Sequence, residues 1–263
     1  MDNKIICVTC GTQFATTATE GSSCPICEDE RQYVPETGQA WTDLEILRQT
    51  HRVKINMLQP GLFEFVVDPP FAIGQRALFL ITPGGNILWD CIALLNEEVV
   101  SFINSKGGLK AIAFSHPHFF TTMNEWAATF NCQVYIHQSD EQWIFNRGSR
   151  IHLWEGDEKL LWDGIRILNI GGHFPGSSIL HVPFLSVEGI IFVGDTFSLG
   201  MSKKHLSILY SYPNRIPLPI NEVKRIRDRM ETVRFDSLYA MYNDQYLQGN
   251  AKTVLLHSLD RYV

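Results

Sequence analysis

The chain lacks any apolar run long enough to span a bilayer, and its first residues, Met1-Asp2-Asn3-Lys4-Ile5-Ile6-Cys7, hold no apolar stretch of the length a secretion signal needs. A cytoplasmic protein with no membrane partner is the expectation. A basic excess is missing too. The formal net charge is −6, which argues against nucleic acid as a partner, because binding needs a basic surface to displace counterions from phosphate. Internal repeats and low-complexity tracts are absent. What remains is a globular chain of 263 residues, 45% hydrophobic and 19% charged, enough for one large domain and a small appendage.

Cysteine is scarce but not scattered. Cys91 and Cys132 stand alone, while the other four form Cys7-Val8-Thr9-Cys10 and Cys24-Pro25-Ile26-Cys27, separated by thirteen residues. Two thiolates of a C-x2-C turn point at one cation, and two such turns facing each other complete a tetrahedron. In a reducing compartment this grouping reads as metal ligation rather than disulfides. A module of about forty residues buries too little apolar surface to be stable alone, so a structural metal is expected to hold it. The knuckles resemble a zinc ribbon and, in Cys-x2-Cys-Gly and Cys-Pro-x-Cys, rubredoxin; the spacer is shorter than in rubredoxin, which favours zinc over iron. The polar stretch from Glu28 to Gly38 suits a linker, giving expected domains 1–40 and 41–263.

Beyond it, patterning predicts a mixed α/β domain with many strands. Leu62–Val67, Leu109–Phe114, Cys132–Ile136, Ile165–Ile170, Ser178–Phe184 and Ile190–Val193 read as strands, and Pro83-Gly84-Gly85 as a hairpin turn. Asn96 is placed to cap one helix. Thr122-Met123-Asn124-Glu125 is a capping box for another, starting near Met123, whose N–H groups are placed to meet an anion. Val223, Ile226, Met230 and Val233 mark an amphipathic helix.

Three segments carry candidate chemistry. Ser115-His116-Pro117-His118 is an H-x-H pair just past a buried strand; His173 lies in Gly171-Gly172-His173-Phe174-Pro175-Gly176-Ser177; Asp195 ends the strand Ile190–Gly194. Three imidazoles and a carboxylate suit zinc, and also iron or manganese. In this order the segments resemble the metallo-β-lactamase superfamily, over roughly residues 45–263. The resemblance implies an αββα sandwich, two packed sheets between outer helix layers, with His116, His118 and His173 on one metal and Asp195 as a further ligand or as a partner of bound water. It also marks a departure. The superfamily's second-metal aspartate and histidine positions hold Phe120 and Thr121, and no histidine stands in Ala240-Met241-Tyr242-Asn243-Asp244. A single metal is therefore expected.

The function these readings imply is metal-dependent hydrolysis of an ester, lactone, thioester or amide carbonyl in a small molecule, with Asp195 as general base. Phe119, Phe120, Thr121, Tyr212, Tyr242 and Asn243 are the expected substrate wall, the phenylalanines favouring an uncharged or aromatic group. The alternatives are a degenerate metal- or ligand-binding protein and, behind it, a redox protein with an iron-binding knuckle.

Overall fold

The structure is a computed structural model that describes residues 4–15 and 22–263; the first three residues and part of the cysteine spacer lie outside it. Two sheets make the body. The first has seven strands, in spatial order Ile151–Trp154, Gln133–His137, Ala111–Ala113, Ile87–Trp89, Arg76–Leu80, Leu62–Asp68 and Arg52–Gln59. The second has six: Glu158–Leu160, Arg166–Asn169, Ser178–Val182, Ile190–Phe192, Ser237–Tyr239 and Tyr246–Leu247.

Side-chain alternation along the strands builds three layers of core. Leu78 and Leu80 point between the sheets, where they meet Ile167, Leu180, Ile190 and Phe192. Their neighbours Ala77 and Phe79 point outward, under helices Glu97–Ser105 and Met123–Phe130, with Val99, Ile103 and Trp126. On the second sheet Leu168, Ile179 and Ile191 take the opposite face, covered by Val223, Ile226 and Met230 of Ile220–Thr232 and by Leu255 of Ala251–Leu259. A strand buried on both faces needs a nearly unbroken apolar run, and Ile-Ile-Phe at 190–192 is one. The arrangement is the expected αββα sandwich. Among the described residues no helix is long and apolar enough to cross a membrane.

The helix Met123–Phe130 begins where the capping box predicts, but Thr122 makes no side-chain cap. Its buried hydroxyl donates to the carbonyl of Ala93 at 3.0 Å instead, so the backbone of the preceding loop outbids the helix's own amide.

The cysteine module packs as a small three-stranded sheet of Gln13–Phe14, Ile5–Cys7 and Trp41–Thr42, with Cys7 opposite Trp41. That sheet reaches past residue 40. The module lies against the sandwich through Phe14, stacked on Phe145 at 5.1 Å, and through Gln13, whose N–H donates to the carbonyl of Thr121 at 3.4 Å.

Candidate metal centre

The strand Ala111–Ala113 runs into Ser115 and His116, and Pro117–Phe119 then turns as a short 3-10 helix that swings His118 to the same side. His173 comes from the loop after Arg166–Asn169, and Asp195 from the end of Ile190–Phe192. One ligand atom from each of these four residues lies within 4.8 Å of the others. The three imidazole centroids form a nearly equilateral triangle, 5.0, 4.9 and 5.1 Å apart. His173 Nε2 and His118 Nδ1 are 3.3 Å apart, close to the roughly 3.3–3.4 Å edge of a tetrahedron with metal–nitrogen bonds of about 2.0–2.1 Å.

Hydrogen bonds set the ring states. The Tyr210 carbonyl can only accept, so His173 donates to it from Nδ1 at 2.7 Å and keeps a lone pair on Nε2. Behind His116, Ser115 Oγ is 2.9 Å from Nδ1 and 2.9 and 3.0 Å from the two Asp90 oxygens. The wholly buried Asp90 also accepts the Ser115 N–H at 2.7 Å. Burial pushes the Asp90 carboxyl well above the usual range, against those hydrogen bonds. Two imidazole nitrogens of the centre, His116 Nε2 and His118 Nε2, are buried with no hydrogen-bond partner. An unpaired buried polar atom is costly, and a cation among the rings would relieve His116. The donor set thus fits a divalent metal.

Burial lowers His116 and His173 to about 3, with the nearby Arg31 charge a further cause in both, and holds His118 well below its ordinary value. Neutral imidazoles are the ligating form. Asp195 rises to about 6 through burial, with His173 pulling the other way. Its 3.5 Å approach to His116 Nε2 is accordingly not an ion pair near neutral pH.

Two glycines make room for this arrangement. Gly194 has φ +52°, and a Cβ there would sit 2.2 Å from Ser115 Oγ. Gly176 donates its N–H to Asp140 at 2.8 Å, and a Cβ there would lie 2.5 Å from that carboxylate. Asp140, pushed up to about 7 by burial, pins the loop that carries His173.

A cavity of about 290 Å³ opens onto the centre, bounded by His118, His173, Asp195, Ser198, Tyr212, Met241 and Tyr242. Of the expected wall residues, Tyr212 and Tyr242 line this cavity, and Phe119, Phe120, Thr121 and Asn243 lie elsewhere. Phe119 and Phe120 are buried in the helix-side core, Phe120 edge-on to Phe114 at 5.1 Å. The short turn that aims His118 at the centre sends its neighbours inward. Thr121 is buried with φ +35° and an unpartnered hydroxyl, under the cysteine module. Asn243 uses its carbonyl to accept from Arg76 at 3.3 Å, outside the lining.

Part of the cavity's remaining wall comes from the segment read as a linker. Arg31 and Gln32 line it, and the Gln32 Oε1 is buried without a partner. Arg31 Nε donates to the His173 carbonyl at 2.6 Å. No sequence motif announces these residues, nor Asp90 and Ser115.

The four cysteines form a second metal-capable group. Cys7–Cys27 and Cys10–Cys24 sulfur separations are both 3.6 Å, near the tetrahedral edge of about 3.8 Å for metal–sulfur bonds of ~2.3 Å. Hydrogen bonds from the other three hold the Cys7 thiol far below its usual range, while burial pushes Cys10 up. Gln39 Nε2 donates to Cys7 Sγ at 3.0 Å.

No protein-family model matches the chain. The uncharacterized protein YmaE of Bacillus subtilis (strain 168) is 37% identical over 262 residues, 98% of this chain and 95% of YmaE. Among solved structures, DIM-1 metallo-β-lactamase exposed to ceftazidime superposes with a TM-score of 0.59 at 15% identity, over 81% of this chain and 98% of that one. The mono-zinc form of FIM-1 from Pseudomonas aeruginosa gives 0.54 at 10%, over 80% and 95%. The fold is that of the metallo-β-lactamases.

Proposed function

The chain belongs to the family of YmaE, and we propose that it is a hydrolase with one catalytic metal held by His116, His118 and His173. Asp195 serves as fourth ligand or general base, and the substrate is a small molecule with an ester, lactone, thioester or amide carbonyl. The observation that carries this reading is the ring triangle: three buried, neutral imidazoles around one point, beside an open cavity. A metal so held would lower the pKa of water toward neutrality and polarise a carbonyl. Asp195, at about 6, is suited to take a proton from water at pH 7. Asp90 and Ser115 keep the His116 ring in place, and the Tyr210 carbonyl keeps the His173 tautomer. Gln32, with an acceptor to spare, meets a hydrogen-bond donor of the substrate.

The single metal is supported by Phe120, which lies in the core, and Thr121, which lies under the cysteine module. It is supported also by the mono-zinc form in which FIM-1 of the same fold has been crystallised. Zinc in the four-cysteine module and a cytoplasmic location complete the proposal. The competing reading, a binding protein without turnover, draws on the same two substitutions.

The test uses the full chain, since Arg31 and Gln32 belong to the cavity. Metal analysis after zinc loading should find one metal lost in His116→Ala and one lost in Cys10→Ser. The loaded protein should hydrolyse members of a panel of neutral esters, lactones and thioesters in a metal-dependent way. Metal uptake at the histidines with no turnover across the panel would leave the binding reading.

A further inference from the structure

We propose that Arg31 is a positioning residue for His173, and that through it the cysteine module sets the metal affinity of the histidine centre. This rests on the reading that His116, His118 and His173 hold a metal.

The chain of contacts runs without a gap. Helix Pro25–Glu28 carries Cys27 and ends at Asp29. Asp29 accepts from Arg31 through its backbone N–H at 2.9 Å and from Nη1 at 2.7 and 2.9 Å. The guanidinium so oriented lies over the rings of Phe174 and Tyr210, 4.4 Å from each centroid. From its edge, Nε donates to the His173 carbonyl at 2.6 Å. Tyr210, whose ring the guanidinium overlies, supplies the carbonyl that accepts the His173 Nδ1–H. Arg31 therefore holds both the backbone of His173 and the partner that orients its ring.

The arginine is itself fastened from the sandwich side. Asn214 Nδ2 donates to the carbonyls of Glu30 and Gln32 at 2.8 and 2.9 Å, and Ser211 Oγ to that of Arg31 at 3.2 Å. A planar guanidinium packs against aromatic rings while donating from its rim, which a lysine cannot reproduce. A ligand loses affinity when the group orienting it is removed, typically 10–100-fold. The coupling is reciprocal: a metal on the cysteines that steadies Asp29 and Arg31 favours the histidine centre, and the histidine metal favours the module by the same factor.

The experiment measures zinc affinity at the histidine centre of the full chain, by competition with a chelating indicator, in wild type, Arg31→Met, Arg31→Lys and Asp29→Asn. Cobalt loading reads the two sites apart, because sulfur-to-cobalt charge transfer marks the cysteines and ligand-field bands mark the histidines. The expected result is an affinity lowered about 10–100-fold in R31M, with the sulfur charge-transfer band intact. R31K should recover part of it through the His173 carbonyl, and D29N should fall between R31M and wild type. Affinity in R31M within about twofold of wild type overturns the proposal. If R31M loses the charge-transfer band and its fold, D29N decides by the same threshold. Absence of metal at the wild-type histidines would overturn the functional reading itself, and this inference with it.

Discussion

Ser115 is one hydroxyl between a buried carboxyl and a ligand imidazole, and its value lies in what it leaves His116 unable to do. With Asp90 holding that hydroxyl in place, the ring cannot rotate about its Cβ without stranding Nδ1 in the core. Ser115→Ala should weaken zinc at the histidine centre about 10–100-fold, as loss of an orienting partner does, while the far-ultraviolet circular dichroism stays native. Competition titration gives the number, and an unchanged affinity would mean that packing alone holds the ring. The ligands themselves predict the pH response. In metal-free protein His116 and His173 stay neutral down to about 3, whereas Asp195 takes up its proton at about 6. As pH falls, the first proton to compete with the metal therefore goes to the carboxylate, and the imidazoles follow only far below. Log affinity should drop by about one unit per pH unit between roughly 4 and 6 and flatten above 7. A slope near three around pH 6 would show ordinary, solvated histidines instead.

The loop of residues 171–177 works as a unit because Asp140 reaches into it. Gly176 has no side chain to fend off that carboxylate. Gly176→Ala should push Asp140 out and displace His173, costing about tenfold or more in zinc affinity. Asp140→Asn retains an acceptor for the Gly176 N–H, and because Asp140 is already pushed up to about 7, the neutral amide should cost less than about threefold. The pair of affinities is the check: equal losses in both would rule out a steric origin. At this scale the sequence was readable where period and composition coincide. The all-apolar strands and the amphipathic helix Ile220–Thr232 stand as expected. Strand Arg52–Gln59 carried no expectation, although Val53, Ile55 and Met57 alternate with polar residues. As an edge strand it buries only Val53 fully and leaves Met57 exposed. Phe119 and Phe120 follow the opposite rule: an aromatic next to a ligand histidine signals a wall as readily as a core, and only the turn geometry decides.

The two sheets are joined at the cavity end by Arg76, which a buried ion pair anchors within the first sheet. Arg76 meets Glu64 at 2.8 Å, with side-chain exposures of 1% and 5%, and also donates to the carbonyls of Ala240, Asn243 and Gln245 at 2.9, 3.3 and 3.2 Å. That loop carries Met241 and Tyr242 into the cavity. Removing one partner of a buried pair strands the other charge, so Glu64→Gln should cost about 3–5 kcal/mol in urea unfolding. A loss under about 1 kcal/mol would show that the carbonyls alone satisfy the guanidinium. By itself the sequence determined the four cysteines, the three histidines with Asp195, their order, and a mixed α/β chain with many strands, because each follows from spacing within a few residues; the layered sandwich entered only through the resemblance those motifs carry. Only the tertiary structure decided that Arg31 and Gln32 of the polar stretch line the cavity, and that Arg31 grips His173. Those contacts join residues 142 positions apart, and no local pattern encodes which surfaces meet when the module and the sandwich bury their apolar faces together.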